Sequence, residues 1–146
     1  MRKALVLALL LVGAGLVAQP VSVELWHDMG GKNGEITAAI CERFNGSQSD
    51  YKVLAVYKGS YPDTMNAGIA AFRAGSPPAI LQVYEVGTAT MMAAKGAIKP
   101  VFQLMAEQGE KFDPKAYIPT ITGYYSTAKG EMLSMPYNST HRCLLL

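Results

Sequence analysis

The sequence predicts an α/β fold with a mainly parallel sheet, on three observations. Short segments with strand-like alternation, Val21 to Trp26 and Tyr51 to Tyr57, each precede a stretch of apolar residues at helical spacing. A third apolar run, Ala79 to Val83, follows the second helical stretch. Glycine, proline and small polar residues punctuate every junction, and strands that alternate with helices of this length form βαβ units.

The elements follow in chain order. Val21-Ser22-Val23-Glu24-Leu25-Trp26 alternates apolar and polar side chains and reads as the first strand. His27 to Gly34 is a glycine-rich turn, and Glu35 to Asn45 is a helix whose apolar face is Ile36, Ala39, Ile40 and Phe44. Cys41 lies in that helix as a small buried hydrophobe. Gly46 to Asp50 stops the helix, and Tyr51 to Tyr57 is the second strand. Pro62 opens a second helix over Asp63 to Ala74, buried through Met65, Ile69 and Phe72. Ala79 to Val83 is a third, largely buried strand, with short helices over Gly87 to Lys95 and Val101 to Gln108 and another opened by Asp113-Pro114. Tyr124-Tyr125-Ser126 and Glu131 to Met135 pair as a hairpin across Thr127 to Gly130.

The 146 residues fit one domain of ordinary size. The net charge of +2 excludes a strongly basic nucleic-acid binder. The mean hydropathy of +0.14 is high, and many apolar residues sit at the start. Met1-Arg2-Lys3, an unbroken apolar run from Ala4 to Val12, and small residues up to Ala18 have the three parts of a secretory signal peptide. Cleavage after Ala18 removes two basic residues, so the 13 Lys and Arg fall to 11 and match the 11 Asp and Glu. The sequence thus predicts an export signal at 1–18 and a neutral, periplasmic product. That compartment permits a bridge between Cys41 and Cys143, but the burial expected of Cys41 argues against one.

Nothing here reads as catalytic or metal-binding, and no cofactor motif is present. The histidines are His27 and His141, and no nucleophile elbow, zinc-protease motif, CxxC or phosphate loop occurs. Asn45-Gly46-Ser47 and Asn138-Ser139-Thr140 match the glycosylation pattern, a match common by chance. Ligands of open α/β sheets sit beyond the carboxyl ends of the strands. Those ends carry Trp26-His27, Lys58 to Tyr61, and Tyr84-Glu85. Tyr61 offers a phenol to an anionic oxygen, and Glu85 can accept from adjacent hydroxyls. Ser139 and Thr140 offer further donors. Trp26 either covers a carbon face of the ligand or packs in the core.

At these residues the sequence resembles extracellular solute-binding protein family 1, and within it the periplasmic glycerol-3-phosphate-binding proteins of the Ugp ABC transporter. Leu25 to Met29, Tyr57 to Tyr61, Ala67 to Arg73, Ala79 to Met92, Ile98 to Pro100, Gly123 to Ser126 and Pro136 to Thr140 carry the resemblance. It implies the N-terminal lobe, in part, of a two-lobe fold like the maltose-binding protein's. It also implies a ligand, sn-glycerol 3-phosphate, with glycerophosphodiesters as a further class. The membrane permease subunits of the transporter are the implied partners. Tyr61, Glu85 and Thr140 match the family's ligand-contacting positions, with Glu85 on the glycerol hydroxyls. Two alternatives remain: a binding protein for another sugar or polyol phosphate, and a small exported enzyme acting on phosphorylated polyols.

The resemblance runs from about Val23 to Thr140 and stops at His141-Arg142-Cys143-Leu144. One back-translation of those four residues, shifted by one base, reads Pro-Val-Leu, as the family continues. The expectation is therefore a partial lobe over 19–140 and an aberrant tail at 141–146, arising from a frameshift. An incomplete lobe leaves an open sheet edge and uncovered apolar surface, and weakens or abolishes binding.

Overall fold

A computed structural model describes residues 19–94, 96–111 and 113–138. The expected signal segment 1–18, Ser139, Thr140 and the tail 141–146 lie outside the described residues. The first strand, β1 (Val21–His27), leads into helix α1 (Gly31–Ser47), strand β2 (Tyr51–Tyr57), helix α2 (Tyr61–Arg73) and strand β3 (Ile80–Leu81). Helices α3 (Glu85–Ala93), α4 (Val101–Glu107) and α5 (Pro119–Tyr124) follow, with a 3-10 turn at Pro114–Ala116 between the last two. The three strands form a parallel sheet in the order β2-β1-β3, so the α/β expectation holds.

β1 pairs with β2 along its whole length, from Val21 with Tyr51 to His27 with Tyr57. The crossover through α1 leaves β1 in one direction, and the crossover through α2 returns past β1 to the other side. Right-handed connections then place the two helices on opposite faces of the sheet. Asn45 fixes α1 to β2: its side chain donates to the Val53 carbonyl at 2.9 Å and accepts the Val53 amide at 2.7 Å. Gly68 fixes the approach of α2 to β3, because a Cβ there would stand 2.4 Å from a Leu81 methyl. Ser60 caps α2 with a reciprocal pair, in which the Asp63 amide donates to its hydroxyl and its own amide donates to the Asp63 carboxylate. Those bonds hold the fully exposed Asp63 carboxyl below its ordinary value. Gly59, at φ +102°, makes the turn into the cap.

Several expectations change. α1 starts four residues earlier than the apolar periodicity indicates, and its buried stripe is Thr37 and Cys41 rather than Ile36, Ile40 and Phe44. The latter three are 49%, 43% and 44% exposed. Asn45 explains the rotation: with its amide bonded to Val53, the side facing the sheet is set by 37, 41 and 45. Cys41 is buried and free, and burial raises its thiol pKa. Phe72 is exposed, and the closest approach of α2 is made by Gly68 and the fully buried Thr64. The third strand shrinks to Ile80–Leu81, and Ile80 is half-exposed because nothing among the described residues covers that edge. The C-terminal hairpin shrinks to a single antiparallel bridge, Ser126 with Met132, since Tyr124 belongs to α5. Met132 is the most enclosed apolar residue of this region, and its carbonyl accepts the Phe102 amide at 2.9 Å.

Candidate functional site

The strand order places a crevice before any side chain is considered. With β1 in the middle, the chain leaves β1 toward one edge and reaches β3 on the other, so the segments after β1 and β3 diverge. Ligands of such sheets settle at that switch point. Backbone bonds hold the strand ends together there: the Lys58 amide donates to the His27 carbonyl and the Gln82 amide to the Trp26 carbonyl, both at 2.9 Å.

His27, Asp28 and Met29 leave β1 buried. The Asp28 amide donates to the Gln82 side-chain oxygen at 3.4 Å, which ties this exit to the segment after β3. Both Asp28 carboxyl oxygens and His27 Nδ1 are enclosed without a hydrogen-bond partner among the described residues. Burial pushes the Asp28 carboxyl up to about 6, against a weaker opposing pull from its own backbone amide. Burial lowers the His27 pKa, and the nearby Met29 backbone opposes that shift. The Tyr57 ring lies 6.0 Å from the His27 ring at a tilt of 50°.

Tyr61, at the first position of α2, stacks on Tyr84, with ring centroids 5.5 Å apart and planes 11° apart. Its side chain is half-exposed. α3 begins two residues earlier than expected, which puts the exposed Glu85 in its first turn, where the helix dipole favours a carboxylate. Two contacts position that turn. Gly87 lies so close to α2 that a Cβ would stand 2.5 Å from the Met65 sulfur, and the Tyr124 hydroxyl donates to the Glu85 carbonyl at 2.7 Å. Trp26 donates through Nε1 to Glu24 at 2.7 Å, and the Lys58 ammonium sits 3.6 Å from the centre of its ring. That ring face is therefore already occupied by a cation.

The chain returns to this edge near its C-terminus. The Tyr137 and Thr37 hydroxyls are 2.7 Å apart in a hydrogen bond, and the Asn138 amide nitrogen lies 3.3 Å from the Met29 sulfur. Asn138 takes a positive φ of 47°. Ser139 and Thr140 follow it directly, outside the described residues. The edge thus gathers Tyr61, Tyr84, Glu85 and Asn138 with the buried His27-Asp28-Met29 exit. Sequence reading missed Asp28 and Gln82 as site residues, because an acid in a turn after a strand ordinarily reads as solvated. A groove of about 650 Å³ lies at the other end of the sheet between Gln19 and Lys52. The Gln48 side chain there is consumed by the Asp50, Tyr51 and Phe44 backbone, so that groove serves the turn. No group of three or more His, Cys, Asp or Glu suited to a metal ion occurs among the described residues.

No protein-family model matches the chain. Over 131 residues, 90% of its length, it is 50% identical to the sn-glycerol-3-phosphate-binding periplasmic protein UgpB of Brucella abortus and covers 30% of that protein. It is 50% identical over 138 residues to the protein of the same name from Salmonella typhimurium, covering 94% of this chain and 31% of that one. The Escherichia coli protein of that name is 51% identical over 140 residues, again 94% of this chain and 31% of the relative. The chain spans less than a third of the length of these curated relatives.

Proposed function

We infer that this chain, a partial relative of the sn-glycerol-3-phosphate-binding periplasmic proteins, presents one side of a solute receptor for sn-glycerol 3-phosphate. The observation that carries the reading is half identity, over nine-tenths of the chain, to proteins bearing that name. In this reading it serves an ABC importer, captures ligand in the periplasm and hands it to the membrane permease subunits. Residues 1–18 direct export and are removed, and residues 19–140 form part of the N-terminal lobe of a two-lobe fold. Its role is binding rather than catalysis.

The chemistry of the edge supports the ligand class. Glu85 accepts from the glycerol hydroxyls, while the Tyr61 phenol and the Ser139 and Thr140 hydroxyls donate to hydroxyl or phosphate oxygens. The Lys58 charge over Trp26 adds a positive group near the same strand ends. Trp26, with one face under Lys58, supports the edge from beneath.

The test is a nuclear magnetic resonance titration of the exported product of this chain with sn-glycerol 3-phosphate, with mass spectrometry to read the cleavage after Ala18. Amide signals of Tyr61, Glu85 and residues 137–140 are expected to shift and saturate at about millimolar ligand, worth roughly 4 kcal/mol, because one side of the surface is present. Absence of any shift there, or shifts confined to the groove between Gln19 and Lys52, would overturn the reading.

A further inference from the structure

We propose that Asn33 is a site of spontaneous deamidation, and that its isoaspartate product loosens the hold of α1 on Tyr137. Helix α1 contains two Asn-Gly pairs, Asn33-Gly34 and Asn45-Gly46. In such a pair the glycine amide nitrogen, with no side chain beside it, attacks the carbonyl carbon of the asparagine side chain. The bond from that carbon to the side-chain nitrogen breaks, and ammonia leaves with the proton lost by the glycine amide. Water then opens the resulting succinimide at either carbonyl, giving aspartate or isoaspartate. No oxidant or cofactor takes part, so local geometry decides which pair reacts.

The two pairs differ in that geometry. A helical turn holds the attacking nitrogen away from its target, so reaction requires local opening. Asn45 resists opening, because its side chain donates to the Val53 carbonyl at 2.9 Å and accepts the Val53 amide at 2.7 Å. The carbonyl under attack is thereby tied to β2. Asn33 is exposed and lies in the first turn of α1, which is weakly built. Gly30 supplies no side-chain cap, Gly31 takes a φ of +53°, and the Gly34 amide meets the Gly30 carbonyl at 3.3 Å. The Lys32–Glu35 ion pair across this turn is exposed at both ends and contributes little. Packing keeps the attacking residue a glycine, since a Cβ on Gly34 would stand 2.6 Å from the Met29 carbonyl oxygen. The same turn anchors the end of the chain. The Thr37 hydroxyl donates to the Asn33 main-chain carbonyl at 2.9 Å and lies 2.7 Å from the Tyr137 hydroxyl. Isoaspartate routes the backbone through the former side chain and turns that carbonyl into a free carboxylate off the helix path. Thr37 then loses its acceptor, and Tyr137 loses the oriented hydroxyl that holds it.

The experiment incubates the exported product of this chain in heavy-oxygen water at mildly alkaline pH, with a parallel sample in urea. Trypsin cuts after Lys32, Arg43 and Lys52, so the two pairs fall in separate peptides, 33–43 and 44–52. Mass spectrometry reads the oxygen taken up by each. In the folded chain Asn33 is expected to convert at least about tenfold faster than Asn45, and in urea the two rates converge. An unreactive Asn33 in the folded chain, or a rate at Asn45 that equals or exceeds it, overturns the site. Nuclear magnetic resonance then follows the consequence. The Tyr137 and Asn138 amide signals are expected to move as isoaspartate accumulates, while those of Thr64 and Gly68 in α2 stay fixed. Asn33→Gln, whose longer side chain would have to close a larger and less favoured ring, is expected to remain unlabelled with its Tyr137 signal unmoved. A Tyr137 signal that stays put in the converted parent overturns the coupling, as does one that moves equally in Asn33→Gln.

Discussion

Replacing Asp28 by Asn tests the burial of its carboxyl through stability alone, with no ligand needed. The folded chain raises this group from 3.8 to about 6. The unfolded chain releases its proton near 4 as pH rises, while the folded chain holds on until about 6. Between those values the folded state carries more protons, so stability falls as pH rises and levels off above the folded value. A shift of about two units has a ceiling of ~3 kcal/mol. The ceiling is not reached, because residues 30–33, which continue the chain past Asp28 and Met29, are exposed, so the cover over the carboxyl borders solvent. Water relaxing through that cover leaves a cost of about 1–2 kcal/mol. Asn carries no charge and avoids it. Urea unfolding of parent and variant at pH 3.5 and pH 7.5, with the difference taken at each pH so that other groups cancel, reads the effect. The variant gains about 1–2 kcal/mol on the parent between the two pH values. The same difference at both would refute the argument and place the carboxyl in solvent.

Three further substitutions test the packing. Ser60→Ala removes the cap of α2 and is expected to cost about 1 kcal/mol by urea unfolding. Gly68→Ala drives a Cβ to 2.4 Å from a Leu81 methyl and is expected to cost about 1–3 kcal/mol, partly restored when Leu81 is also cut to Ala. Ile40→Gln is expected to stay within about 0.5 kcal/mol of the parent by urea unfolding, because the side chain is 43% exposed. A loss of 2 kcal/mol or more there would return Ile40 to the core.

The strands were legible because period-two alternation survives in any environment. Tyr51 to Tyr57 forms β2 at the bounds the sequence indicates, and β1 differs by one residue. α1 was legible as a helix, but its orientation was not. Apolar periodicity selects 36, 40 and 44, while two hydrogen bonds from Asn45 to Val53 select 37, 41 and 45, one position around. No hydrophobicity pattern encodes that choice. α5 was illegible because Pro119-Thr120-Ile121-Thr122-Gly123-Tyr124 is poor in helix formers. It exists with a proline in its first turn and bonds from the Ile121 and Thr122 amides to the Ile118 carbonyl.

The site divides along the same line. Tyr61, Tyr84 and Glu85 could be placed at one edge from chain order, since each follows a strand of a parallel sheet. Asp28 could not, because its significance lies in the partners its buried oxygens lack. The two kinds of residue differ in what they contribute to a receptor. Tyr61 and Glu85 are exposed and already solvated, so exchanging water for ligand changes little until a second surface excludes solvent. Asp28 is desolvated whether or not ligand is present, and its oxygens offer no surface that a hydroxyl can touch, so it bears on the stability of the β1 exit. In the proposed reading the exposed pair governs the response to ligand, and the buried carboxyl governs the pH dependence of stability. Comparing Asp28→Asn with Glu85→Gln on this chain separates the two. Glu85→Gln is expected to weaken sn-glycerol 3-phosphate and leave stability unchanged, while Asp28→Asn changes the pH dependence of stability and leaves binding unchanged, and the reverse pattern would refute this division.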